Sequence, residues 1–113
     1  MKNLEQIRAL HVLNAAKTID AKGKKGGESV AKKIPPHIIN HGLMQTLAFA
    51  KDQGEGYKNI CDCIAQHLSE QGLVDDCKDT ESLLRALAEG DSTLLKHATH
   101  ESMAWLNYAR RFI

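Results

Sequence analysis

The sequence predicts an all-α protein, a compact single-domain bundle of about five or six helices. Apolar residues recur at spacings of three and four along most of the chain. Aromatic residues supply only 4% of the composition, so leucine, alanine and isoleucine must fill the core, and these favour helices over strands. No stretch reads as a strand, no useful repeat occurs and no internal boundary divides the chain. With 113 residues it has the size of one domain, able to bury about two-thirds of its unfolded surface.

The first helix is expected from about Asn3 to Asp20. Leu4, Ile7, Leu10, Leu13 (or Val12), Ala16 and Ile19 supply its stripe, and Arg8 is the one large basic side chain in its middle. Residues 21–29, AKGKKGGES, hold three glycines and three lysines and cannot bury apolar surface, which predicts a mobile, solvated loop. Ser29 to Lys33 add a helical turn. The organising segment follows, Ile34 to Lys51, IPPHIINHGLMQTLAFAK. Pro35 and Pro36 fit a first turn, where a missing N–H costs nothing. Ile38, Ile39, Leu43, Leu47 and Ala50 then form a broad stripe on a central helix about 25 Å long. Gly42 in its middle costs about 1 kcal/mol against alanine and lets another helix approach closely.

Gly54 and Gly56 mark a turn. The next helix spans about Tyr57 to Gln71, with Tyr57, Ile60, Cys61, Ile64 and Leu68 on one face and Gly72 as its stop. Residues 73–79 lead to a shorter helix packed by Leu83, Leu84, Leu87 and Ala88 and ended by Gly90. Asp91 or Ser92 caps the last helix, which continues through Leu94, Leu95, Ala98, Ser102, Trp105, Leu106 and Ala109 to Phe112.

The formal net charge of +1 conceals an uneven distribution. Residues 1–33 carry eight Lys and Arg against three Asp and Glu, residues 34–80 three against seven, and the remainder four against four. A basic end and an acidic middle suit an anionic partner or head-to-tail self-association. No run is long enough to span a membrane and the N-terminal stretch has no apolar signal core, which implies the cytoplasm. Three cysteines, Cys61, Cys63 and Cys77, without a secretion signal are read as reduced thiols.

The chemical motifs are weak. His97, His100 and Glu101 share a helix face but do not follow the H-E-x-x-H order, and no third metal ligand accompanies them. His37 and His41 read as surface or helix-end groups, and Cys61, Cys63 and His67 lack a zinc spacing. Asp75, Asp76, Asp79 and Glu81 lack the glycine and ligand order of a calcium loop. Residues 23–29 do not match a phosphate-binding loop. No nucleophile, base and oxyanion donor occur together, so no catalytic site, metal or cofactor is predicted. The remaining signal is the cluster of Lys17, Lys22, Lys24, Lys25, Lys32 and Lys33 with Arg110 and Arg111, suited to sequence-independent phosphate contacts or simply to a solvated surface.

Three segments together carry a resemblance. They are Ile34-Pro35 leading to His41-Gly42-Leu43 and Leu47-Ala48-Phe49; Thr99-x-Glu101 with Ala104; and the ending Arg110-Arg111-Phe112. Arg8 and the lysines before the proline complete the set. The chain resembles the small helical subunit of the type III-B CRISPR RNA-silencing complex, the Cmr complex. It departs in having His41 after Asn40 where the family often places asparagine before the Gly-Leu pair. The resemblance implies a non-catalytic, all-helical antiviral-defence subunit. Several copies would stack beside the backbone subunits and help to form the groove for guide–target RNA. Its RNA-facing residues would be Arg8, Lys17, Lys24, Lys25, Lys32, Lys33, Arg110 and Arg111, with no small-molecule substrate. The alternative is a helical adaptor that binds only protein.

Overall fold

Asn3 opens the first helix by a reciprocal pair of hydrogen bonds. Its side chain accepts from the Gln6 N–H at 2.9 Å, and the Gln6 amide oxygen accepts from the Asn3 N–H at 2.9 Å. The computed structural model describes residues 2–53 and 55–112, without the side chains of residues 18–30 and 55. Within it five helices follow in order: α1 Leu4–His41, α2 Leu43–Asp52, α3 Glu55–Glu70, α4 Thr80–Glu89 and α5 Ser92–Phe112. The class is all-α, as the residue spacing predicts. α1 takes in the helix expected over residues 3–20, with Asn3 as its cap, and the first part of the helix expected over 34–51. The mobile loop expected at 21–29, with Lys22, Lys24 and Lys25, lies outside the described side chains.

The single helix expected from Ile34 to Lys51 is two helices. Gly42 closes α1 and opens α2 with φ 89° and ψ 161°, a conformation that side chains other than hydrogen exclude. Its N–H still donates to the Ile38 carbonyl at 2.8 Å, so the break costs α1 no terminal bond. A β-carbon there would meet nothing within 4 Å. The glycine therefore serves the backbone turn, not the close helix approach that its mid-helix position suggested. Pro35 and Pro36 lie inside α1, not at its start. Their missing N–H groups leave the carbonyls of Ala31 and Lys32 without intrahelical donors. Pro35 is half-buried and Pro36 exposed, while Ile34 and Ile38 point into the core.

The stripe of α1 is rotated relative to the expected one. Leu4, Leu10 and Leu13 are exposed, and Val12 is the fully buried member of this turn. The buried face runs through Arg8, Val12 and Ala15, so the basic residue lies on the inner side.

The later helices end where local chemistry says they should. Gly72 has φ 77°, the Leu73 N–H donates to the Leu68 carbonyl at 3.1 Å and the Gly72 N–H to that of Ser69 at 3.0 Å. This is the double-bonded glycine stop that satisfies the last carbonyls of α3. Asp79 caps α4 by accepting from the Ser82 N–H at 2.8 Å, and Asp91 caps α5 by accepting from the Leu94 N–H at 2.9 Å. The core gathers Ile34 and Ile38 of α1, Leu43 and Leu47 of α2, Ile60, Ile64 and Leu68 of α3, Leu83 and Leu87 of α4, and Trp105 and Leu106 of α5. α1 packs chiefly on α5 and α3, while α2 packs chiefly on α4.

Candidate functional site

Two arrangements hold several of the polar residues that sequence reading singled out. One is a buried relay and the other a surface groove.

The relay starts at Glu101, which is buried on the inner face of α5. A carboxylate there must be compensated, because burial strongly disfavours an unpaired charge. Arg8 supplies two donors, Nε to Oε2 at 2.8 Å and Nη2 to Oε1 at 2.7 Å. This forked geometry is the strong form of the pair. His67 of α3 gives a third bond, from Nε2 to Oε2 at 2.8 Å. An ionised carboxylate only accepts, so His67 Nε2 carries the proton and Nδ1 is left as acceptor. That Nδ1 lies 2.6 Å from Nδ1 of His11, whose Nε2 lies 2.7 Å from Glu70 Oε2. The chain Arg8–Glu101–His67–His11–Glu70 thus ties α1, α3 and α5 together. Beside it, His11, Cys63, His67 and Trp105 help to line a cavity of about 270 Å³.

The electrostatics follow from this geometry. Burial tends to raise the Glu101 carboxyl, but the hydrogen bonds from Arg8 and His67 together outweigh it and hold it below the usual 4.5. Burial pushes His67 below the usual 6.5, against the opposing pull of Glu101. The hydrogen bond to Glu101 raises the Arg8 guanidinium above its ordinary value. Both His67 and Glu101 are depressed on folding, so each stabilises the protein above its ordinary pKa and loses that contribution as pH falls. The expected result is a melting temperature that falls from about pH 6.5 downward through His67, and again below about pH 4.5 through Glu101. Thermal melts from pH 8 to pH 4 test this. A His67→Asn variant whose melting temperature falls as steeply between pH 7 and pH 5 would refute the assignment to His67.

Cys61 and Cys77 lack the setting of a nucleophile. Burial pushes Cys61 up to about 12, and it also raises Cys77. Among the described residues no group of three His, Cys, Asp or Glu side chains could hold a metal ion, and no helix is long and apolar enough to cross a membrane. His37 bonds Thr46 Oγ1 through Nδ1 at 2.8 Å and stacks on Phe49, steadying the α1–α2 junction. His97 and His100 are exposed.

The groove, of about 570 Å³, runs between the end of α1 and the second half of α5. Its lining is polar at Lys32 and Asn40 of α1 and at His100, Asn107 and Arg110 of α5, and apolar at Pro35, Pro36, Ile39, Met103 and Ala104. Ile39 is 72% exposed, more than any other large apolar residue described. The expected RNA-facing residues therefore divide. Lys32 and Arg110, remote in sequence, come together at the groove. Lys17, Lys33 and Arg111 are exposed elsewhere on the surface. Arg8 is bound to Glu101, and Lys24 and Lys25 lie outside the described side chains. Sequence reading missed the relay and the apolar lining of the groove. The lone arginine within the α1 stripe was the only local signal of the first.

Residues 4–113 match the family model of a CRISPR-associated protein, Cas_Cmr5. The fold is similar to the crystal structure of a CRISPR-associated Cmr5 family protein from Thermus thermophilus, with a TM-score of 0.83 over 98% of this chain and 95% of that one. The two are 24% identical, a level that speaks to the fold alone. No curated protein matches the sequence. The family match and the helical fold agree, and the chain belongs to the Cmr5 family, the small all-helical subunit of the type III-B CRISPR Cmr complex.

Proposed function

We propose that this chain is a non-catalytic, cytoplasmic subunit that stacks in several copies beside the backbone subunits and helps to form the groove for guide–target RNA. The observation that carries this reading is the exposed cation set on a helical scaffold. Lys17, Lys33 and Arg111 project from α1 and α5 with no carboxylate within 4 Å among the described residues. Flexible lysines and arginines of this kind suit phosphates, whose recognition needs charge more than a shaped pocket. Arg8 serves the fold in this reading, because its guanidinium is committed to Glu101. RNA cleavage belongs to the backbone subunit.

The test is a reconstituted complex carrying Lys33→Glu with Arg111→Glu. Target-RNA affinity falls, and the slope of log affinity against log salt becomes shallower by about one for each phosphate that a copy no longer neutralises. Unchanged affinity and slope would refute the RNA role and favour the adaptor that binds only protein. The exposed apolar lining at Ile39 is the feature that keeps that second reading in view.

A further inference from the structure

The groove between α1 and α5 is unlike a phosphate track. It is lined by Lys32 and Arg110, but also by the apolar Ile39, Met103 and Ala104, with Ile39 the most exposed large apolar side chain described. A phosphate backbone gains nothing from an apolar lining and leaves it wet. An occupant that matches both parts carries an apolar side chain flanked by carboxylates. Neither Lys32 nor Arg110 has a carboxylate within 4 Å among the described residues, so both cations are available to it.

The chain itself presents such an element at its other charged region. The turn after α3 holds Leu73, which is half-buried, followed by Asp75 and Asp76, which are exposed. Asp76 has φ 51° and Gly72 φ 77°, so two left-handed residues shape the turn, with Val74 and Cys77 buried in the core and Leu73 partly packed against it. The turn is fastened from behind, where Thr80 donates to Asp62 Oδ1 through its N–H and its hydroxyl, each at 2.7 Å, and Asp79 caps α4. The turn is held in place from inside, and Asp75 and Asp76 are its exposed part. Neither Asp75 nor Asp76 forms an ion pair among the described residues.

We propose that the α1–α5 groove of one copy seats the Leu73–Asp76 turn of the next copy, Leu73 on Ile39 and Met103, Asp75 and Asp76 on Lys32 and Arg110. Groove and turn are different surfaces, so the contact is head to tail and repeats, building an open stack instead of a closed dimer. It sets Lys32, from the basic stretch 1–33, and Arg110 against Asp75 and Asp76, from the acidic stretch 34–80. The inference rests on the stacking reading above. It assigns Lys32 and Arg110 to protein and leaves Lys33 and Arg111 for RNA.

The experiment reads copy number by native mass spectrometry in the reconstituted complex, with helical content followed by circular dichroism. One variant carries Lys32→Glu and Arg110→Glu, a second Asp75→Lys and Asp76→Lys, and a third all four changes. The first two lose stacked copies, with association at least tenfold weaker, and the third regains them because the charges again match. If both double variants keep the wild-type number of copies, the contact is refuted while stacking stands. If both lose copies and the fourfold variant fails to recover them, the contact is equally refuted. A groove variant that keeps its copies but loses target-RNA binding assigns the groove to RNA and overturns the proposal. A wild-type complex with a single copy refutes the stacking reading itself.

Discussion

Glu101→Ala lowers the stability of the isolated protein by about 3–5 kcal/mol, the cost of leaving one member of a buried ion pair alone. Arg8 would retain its charge beside the core without its two bonds to Glu101, at 2.7 and 2.8 Å. His67 would lose the acceptor of its Nε2 proton. Urea unfolding followed by circular dichroism measures the change, with an unaltered denaturant slope showing that the same cooperative unit unfolds. For a domain of this size the loss is a large part of a total of about 5–15 kcal/mol. Replacing both Arg8 and Glu101 by apolar residues of similar volume restores much of it, since the pair repays its own desolvation only in part. A loss below about 1 kcal/mol for Glu101→Ala would show that the pair behaves like a surface salt bridge.

Trp105→Ala costs a similar amount, about 3–5 kcal/mol, by a different mechanism. The indole is completely buried where α5 meets the core, close to His67 with ring centroids 6.1 Å apart. Truncation removes the largest side chain of the core and opens a cavity that the surrounding helices fill only partly. Trp105→Phe separates packing from hydrogen bonding. The indole Nε1 has no hydrogen-bond partner among the described residues, so phenylalanine loses area but no bond. Removing a buried N–H that is unpaired also recovers a desolvation cost of about 1–3 kcal/mol. Trp105→Phe is therefore much the milder change. Equal losses for the two variants in thermal or urea unfolding would mean that the indole N–H, not its volume, holds the site.

The end of α3, the shorter helix α4 and the start of α5 were legible because local signals set them within one turn of chain. Helix α3 itself begins at Glu55 and takes in Gly56, which reads as part of a turn in the sequence. Gly72 and Asp91 act on backbone groups a few residues away and are readable in a bare sequence, while the Asp79 cap of α4 emerged only with the structure. The break at Gly42 was misread because glycine inside an apolar pattern is compatible with a helix until its dihedrals are known. The rotation of the α1 stripe has a longer-range cause. Arg8 belongs to the inner face only because Glu101, 93 positions away, completes it. Ile39 fitted the apolar stripe but was left outside when α1 settled on α5. The basic character of the surface could be counted from the sequence, whereas the separation of Lys32 and Arg110 from Lys33 and Arg111 depends on how two distant helices lie together.

The separation of Arg8 from Glu101 also orders events during synthesis. At about 5–20 residues per second, α1 waits several seconds before its neutralising carboxylate leaves the ribosome. Until then the inner face of α1 carries an unmatched charge, and its docking onto α3 lacks the final constraint. Long loops must close before such a contact contributes, so it forms late on the folding route. Substitutions at Arg8 or Glu101 consequently accelerate unfolding far more than they slow folding. Helix α5, made long after α1, is thus the one that locks α1 into place.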